Sequence, residues 1–148
     1  MSLIRTLLRT CLPKSWYAWL LSRYHFVLAW GAAHWYRHPS RDLVVIAVTG
    51  TKGKSTVVEL IAQILRTEGH TVASLSTIQF SIGADTKRNL FKMTMPGRSF
   101  VQRFLRQAVD AGCTHAVVEM TSEGAKQFRH KFIVLDALVF TNLTPEHI

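Results

Sequence analysis

Residues 44–56 read Val44-Val45-Ile46-Ala47-Val48-Thr49-Gly50-Thr51-Lys52-Gly53-Lys54-Ser55-Thr56. The apolar, largely β-branched run 43–48 suits a strand buried on both faces. Gly50 and Gly53 follow, free to wrap the backbone closely and turn its N–H groups inward. Lys54-Ser55-Thr56 then opens a helix over 55–68, with Val58, Ile61, Ala62 and Leu65 at helical spacing and Gly69 as its stop. A helix N-terminus behind a glycine loop is a site for phosphate. Lys54 can reach β- and γ-phosphates, and the Ser55 hydroxyl suits Mg²⁺. The spacing is G-x-x-G-K-S-T, shorter than G-x-x-x-x-G-K-[ST], because Val48 stands five places before Gly53. The strand–loop–helix context that tests the motif is nevertheless present, which makes Gly50, Thr51, Lys52, Gly53, Lys54, Ser55 and Thr56 a candidate ATP loop.

The rest of the chain after residue 43 extends the same pattern. A short strand is expected over 71–75, and a hairpin over 77–89 turning at Gly83-Ala84-Asp85. Ser99 is placed to cap a helix that runs to Ala111 and stops at Gly112. Apolar strands over 116–118 and 137–140 run into Glu119 and into Thr141-Asn142. Strands alternating with helices imply an α/β fold, a mostly parallel sheet of the phosphate-loop type flanked by helices. Ligands of such sheets gather at the C-terminal edge, where Glu119 stands. Mg²⁺ takes oxygen ligands, so Ser55 and Glu119 form a candidate metal pair.

Composition divides the chain near residue 42. All four Trp and all three Tyr lie within the first 36 residues, and residues 1–42 carry six basic side chains against the single acid Asp42. That segment is therefore +5 of a total of +9. It reads as helix over 3–11, a break at Pro13, and helix over 15–36 ended before Pro39. Its uncharged apolar run 26–33 is far below the ~18–20 residues that cross a bilayer. No small-residue cleavage site marks it as a signal peptide. Basic residues interleaved with Trp and Tyr suit the interface of an anionic membrane. The other reading is a helical hairpin packed on the domain, or on a missing one, its aromatics forming core. No nucleic-acid partner is expected, because the basic residues do not cluster and no recognition motif accompanies them. Cys11 and Cys113 make neither a disulfide framework nor a metal spacing, so a reduced, cytoplasmic setting is the default.

Four blocks in order resemble the Mur ligase family, the ATP-dependent amide-forming enzymes of peptidoglycan precursor synthesis. They are the loop 48–56, Met93-Thr94-Met95-Pro96-Gly97, the stretch 119–129 from Glu119 to Arg129, and 140–147 from Phe140 to His147. The third block is most similar to the branch that adds the third amino acid to a UDP-N-acetylmuramoyl-dipeptide. The resemblance implies ATP on the loop with Asn142, and Lys54 and Glu119 in catalysis. It implies Mg²⁺ on Ser55, Glu119 and His147, and the UDP-muramoyl-peptide on Thr94, Thr121, Gln127 and Arg129. An arginine suits carboxylate or phosphate bidentately, which agrees for Arg129. The implied reaction passes the γ-phosphoryl of ATP to the substrate carboxylate, and an incoming amine then displaces phosphate.

This chain departs from the family pattern in three places. Met95 stands where a second Thr is common, Thr121 where Ser is common, and Lys52 where Asn often precedes Gly53. The 42-residue aromatic-basic segment stands in place of a UDP-binding domain, and residues 43–148 match the N-terminal part of the central ATPase domain. A three-domain ligase needs on the order of 300–450 residues. The resemblance thus implies an incomplete ligase, inactive alone. Two alternatives are an amide ligase of the folylpolyglutamate synthetase type and a non-catalytic, membrane-associated nucleotide-binding module.

Overall fold

The computed structural model describes residues 14–90, 93 and 97–144. The expected helix over 3–11, Cys11, Thr94, Met95 and His147 lie outside the described residues. Helix α1 spans Lys14–Trp35, and a 3-10 turn, Pro39–Arg41, leads into strand β1, Val44–Thr49. Then come α2 (Lys54–Thr67), β2 (Val72–Leu75), β3 (Gln79–Ile82) and β4 (Asp85–Arg88). Helix α3 (Arg98–Asp110), β5 (His115–Glu119), the short α4 (Ser122–Lys126) and β6 (Ala137–Phe140) complete the order.

One six-stranded sheet results, in the order β4-β3-β2-β5-β1-β6. Strands β2, β5, β1 and β6 are parallel; β3 and β4 join as antiparallel strands through the expected turn, with Gly83 at φ 58°. The period of two along β1 sorts the core. Val45 and Ala47 join Leu75, Phe104, Leu105 and Val118 on the α3 face, while Ile46 and Val48 join Val58, Ala62 and Val117 on the α2 face. The continuous apolar run at 43–48 is thus explained by burial on both faces.

Two local expectations differ from the structure. Ser99 does not cap α3: Gly97 is the N-cap, its carbonyl accepting from Val101 N, so Ser99 lies inside the first turn. Helix α4 has no counterpart in the sequence reading. It forms because the Thr121 hydroxyl accepts from Gly124 N at 3.1 Å, a side-chain cap worth ~1 kcal/mol, with Glu123 in the positive first turn.

Helix α1 packs against α3 through a seam of small residues, Ala29, Ala32 and Ala33, all buried. Phe26 packs toward the domain, on Phe128 and Phe132, but most of the helix's described aromatics face the other way. Trp16, Trp19, Tyr24, Trp30 and Trp35 are exposed, so among the described residues they form no core with this domain. Among the described residues no helix is long and apolar enough to cross a membrane.

Burial lowers the pKa of His38, His115 and His130 below the usual 6.5. Arg41 and His34 add to this at His38, His70 adds to it and Asp136 opposes it at His115, and Lys131 adds to it at His130. As pH falls through 6.5 the unfolded chain gains protons that the folded chain resists. Stability is therefore full above that value and declines below it. The urea midpoint is expected to be lower at about pH 5.5 than at about pH 7.5, with a shallower dependence in His115→Asn. Equal midpoints would contradict this.

Candidate functional site

The loop between β1 and α2 closes on itself and on the segment after β6. Gly53 is the N-cap of α2 at φ 79°, and Gly50 sits at φ 135°. Asn142 clasps the loop from the side. Its carbonyl accepts from Thr51 N at 3.0 Å, its Oδ1 accepts from Lys52 N at 3.0 Å, and its Nδ2 donates to Lys52 O at 3.1 Å. Thr141 Oγ1 donates to Lys52 O at 2.8 Å, and Thr144 N donates to Thr51 Oγ1 at 3.1 Å. The approach is so close that a Cβ on Gly50 would run into Thr141 Oγ1 and the backbone of Asn142.

Lys54 folds over the loop, its ammonium donating to Gly50 O and Thr51 O at 2.9 Å each. An open cavity of about 370 Å³ lies beside it, lined by Thr49, Gly50, Thr51, Lys54, Thr121, Ser122, Phe140, Leu143 and Thr144. This is the C-terminal edge of β1 and β6, where a sheet of this kind offers its ligand crevice. Exposed Thr56 lies in the first turn of α2.

Glu119, only 2% exposed, ends β5 between β2 and β1. The loops that follow those two strands meet on its carboxylate. Ser55 Oγ donates to Oε2 at 2.7 Å; Thr77 donates to Oε2 from its amide at 2.9 Å and from its hydroxyl at 3.0 Å. Among the described residues no lysine or arginine pairs with it. A buried carboxylate whose described partners are hydroxyls and an amide offers oxygen of the kind that Mg²⁺ takes. Among the described residues no group of three or more His, Cys, Asp or Glu side chains could hold a metal ion; Ser55, Thr77 and Glu119 are oxygen-bearing groups that lie together.

Thr77 is missing from the sequence reading. The available signal is its place just past a buried parallel strand, on the same edge as Glu119. Of the expected substrate residues, Thr121 lines the cavity. Gln127 and Arg129 stand beyond α4, joined by Arg129 Nη2 donating to Gln127 Oε1 at 2.7 Å, and neither lines that cavity. The loop, Asn142, Ser55, Glu119 and Thr121 are thus gathered along one edge of the sheet, while Gln127 and Arg129 sit further along the chain.

The model of the Mur ligase middle domain matches residues 48–148. A UDP-N-acetylmuramyl-tripeptide synthetase of Treponema denticola is 43% identical over 115 residues, 76% of this chain and 22% of that protein. A UDP-N-acetylmuramoyl-L-alanyl-D-glutamate–2,6-diaminopimelate ligase of Parabacteroides distasonis is 34% identical over 78% of this chain and 24% of its own length. A solved structure of a ligase with that same name superposes with a TM-score of 0.63 at 28% identity, over 72% of this chain and 21% of that one. The chain spans between a fifth and a quarter of the length of these relatives.

Proposed function

Since this chain belongs to the Mur ligase family through its middle domain, we propose that it forms the nucleotide-binding part of an ATP-dependent ligase of peptidoglycan precursor synthesis. The observation that carries this reading is the pairing of the clasped glycine loop with the buried Glu119 on the same sheet edge. Such a ligase joins an amino acid to a UDP-muramoyl-peptide. The substrate carboxylate takes the γ-phosphoryl of ATP, ADP leaves, and the incoming amine displaces phosphate from the acyl phosphate.

This chain's own groups divide that work. The N–H groups at the N-terminus of α2 and Lys54 hold the phosphates, while Asn142 takes the N–H groups of Thr51 and Lys52 and so keeps the loop in shape. Ser55, Thr77 and Glu119 are the groups that would hold Mg²⁺, with His147 as a further ligand carried over from the family resemblance. Bound Mg²⁺ neutralises phosphate charge during phosphoryl transfer. Thr121 at the cavity wall and Arg129 beyond it are proposed contacts of the muramoyl-peptide, with Gln127 orienting the guanidinium. Thr94 completes that set by resemblance. By composition residues 1–42 are a segment distinct from the ATPase portion at 43–148, though α1 packs on that portion, and their aromatic and basic content favours a cytoplasmic location at the inner face of a membrane. The third-block residues favour this reading over a folate-type ligase.

Calorimetric titration with a non-hydrolysable ATP analogue tests the proposal. Binding is expected to tighten with Mg²⁺ in the wild type. In Glu119→Gln that gain is expected to drop by about tenfold or more, with metal-free binding kept. Arg129→Ala is expected to weaken UDP-muramoyl-dipeptide binding about tenfold. A wild-type chain that binds no nucleotide, or a Glu119→Gln chain with an unchanged response to Mg²⁺, would refute the assignment.

A further inference from the structure

We infer that the outward face of α1 is a docking surface for an anionic phospholipid bilayer, with the helix lying flat on the headgroup layer. The inference takes the peripheral location just proposed down to named side chains, and rests on it. A helix packed on a domain usually turns its large apolar side chains inward. Helix α1 does the reverse. Its buried seam is alanine, while Trp16, Leu20, Val27 and Trp30 recur on the outer side at steps of four, seven and three residues and are 63%, 44%, 60% and 48% exposed.

Charge says what covers this face. No carboxylate occurs in the first 41 residues, against six Lys and Arg. Arg23 lies on the same outward stripe, its guanidinium carbon 5.2 Å from the centre of the exposed Trp19 ring. Rings with their bodies outward, Arg23 among them and Lys14 and Arg37 flanking them in sequence, match a layer of acyl chains topped by anionic headgroups. Twenty-two residues of helix present this face along ~33 Å, too little apolar length to cross but ample to lie flat.

The same helix is tied to the expected substrate segment. Phe26 packs edge-on against Phe132 and Phe128, with ring centres 5.2 and 6.5 Å away. Both partners sit in left-handed backbone conformations at φ 62° and 54°, positions a bulky residue takes only when its surroundings enforce it. Gln127 and Arg129 flank Phe128. A bilayer under α1 would therefore fix the height of that segment above the lipid.

The chain carries its own reporter, because all four Trp lie at positions 16, 19, 30 and 35. The test adds vesicles of phosphatidylcholine, or of phosphatidylcholine with phosphatidylglycerol, and follows Trp emission and sedimentation. Only the anionic vesicles are expected to shift emission to the blue and to sediment the chain, and added salt is expected to reverse both. Arg23→Glu is expected to lower partitioning at least about fivefold, and Trp16→Ser with Trp30→Ser at least about tenfold. Nucleotide-analogue binding, measured on the same samples, should be unchanged in these variants and shows that they are folded. Vesicle binding absent while nucleotide binds overturns the docking surface and leaves the ligase reading standing; the opposite pattern does the converse. Emission already blue-shifted in a chain that runs as a dimer without lipid also overturns it, since a second copy then covers the face.

Discussion

Replacing Lys54 by alanine is expected to weaken binding of an ATP analogue by roughly a hundredfold or more, about 3 kcal/mol for losing charge-assisted contacts to phosphate. The ammonium donates to Gly50 O and Thr51 O, two carbonyls at the mouth of the cavity. Those bonds hold the lysine over the spot that phosphate oxygens would claim. A flexible ammonium can trade neutral carbonyls for an anion at little cost, and the trade favours the anion. Removing the side chain takes away the attraction but leaves the glycines, the Asn142 clasp and the helix N-terminus intact. Stability should fall by no more than ~1 kcal/mol. Calorimetry for binding and urea unfolding for stability separate the two effects. Unchanged affinity would refute the phosphate-loop reading, whereas a collapse of stability would mean that Lys54 is a structural tie.

Gly50→Ala is expected to cost about 2–4 kcal/mol and to abolish nucleotide binding with it. Two independent reasons converge on this glycine. Its φ of 135° is closed to residues with a Cβ, and an added Cβ would meet Thr141 Oγ1 and the Asn142 backbone. The hydroxyl could rotate aside, but the backbone could not move without releasing Thr51 N and Lys52 N from Asn142. Gly53→Ala is the control. It shares a positive φ, 79°, yet nothing lies within 4 Å of its Cβ position, so only the backbone term of about 1–2 kcal/mol applies. Urea midpoints should therefore rank wild type above Gly53→Ala above Gly50→Ala. The reverse order of the two variants would show that the approach of residues 141–142 does not shape the loop.

What could be read in advance follows the range of the forces involved. The strand at 43–48, the loop and the helix after it declare themselves because apolar period, glycine and cap all act within a few residues. So does the turn at Gly83. Helix α4 escapes, being only five residues long and held by one threonine cap. The orientation of α1 could not be read at all. Its apolar residues surround the axis, so no periodicity marks an inner face, and only the structure shows the alanine seam as the side buried on the domain.

The site divides the same way. The glycine loop, the carboxylate at the end of an apolar strand and the charge asymmetry of the chain are legible from residue order alone, since each is a property of neighbouring residues. Only the tertiary structure decided that Thr77 and Ser55, at sequence distances of 42 and 64, share the carboxylate of Glu119. It also decided that Asn142 grips the loop from 90 residues away and that the tryptophans face outward. These contacts depend on strand order: β5 inserts between β2 and β1, and β6 adds beside β1. That order is set by which apolar faces bury one another, a comparison among distant segments that no local pattern contains.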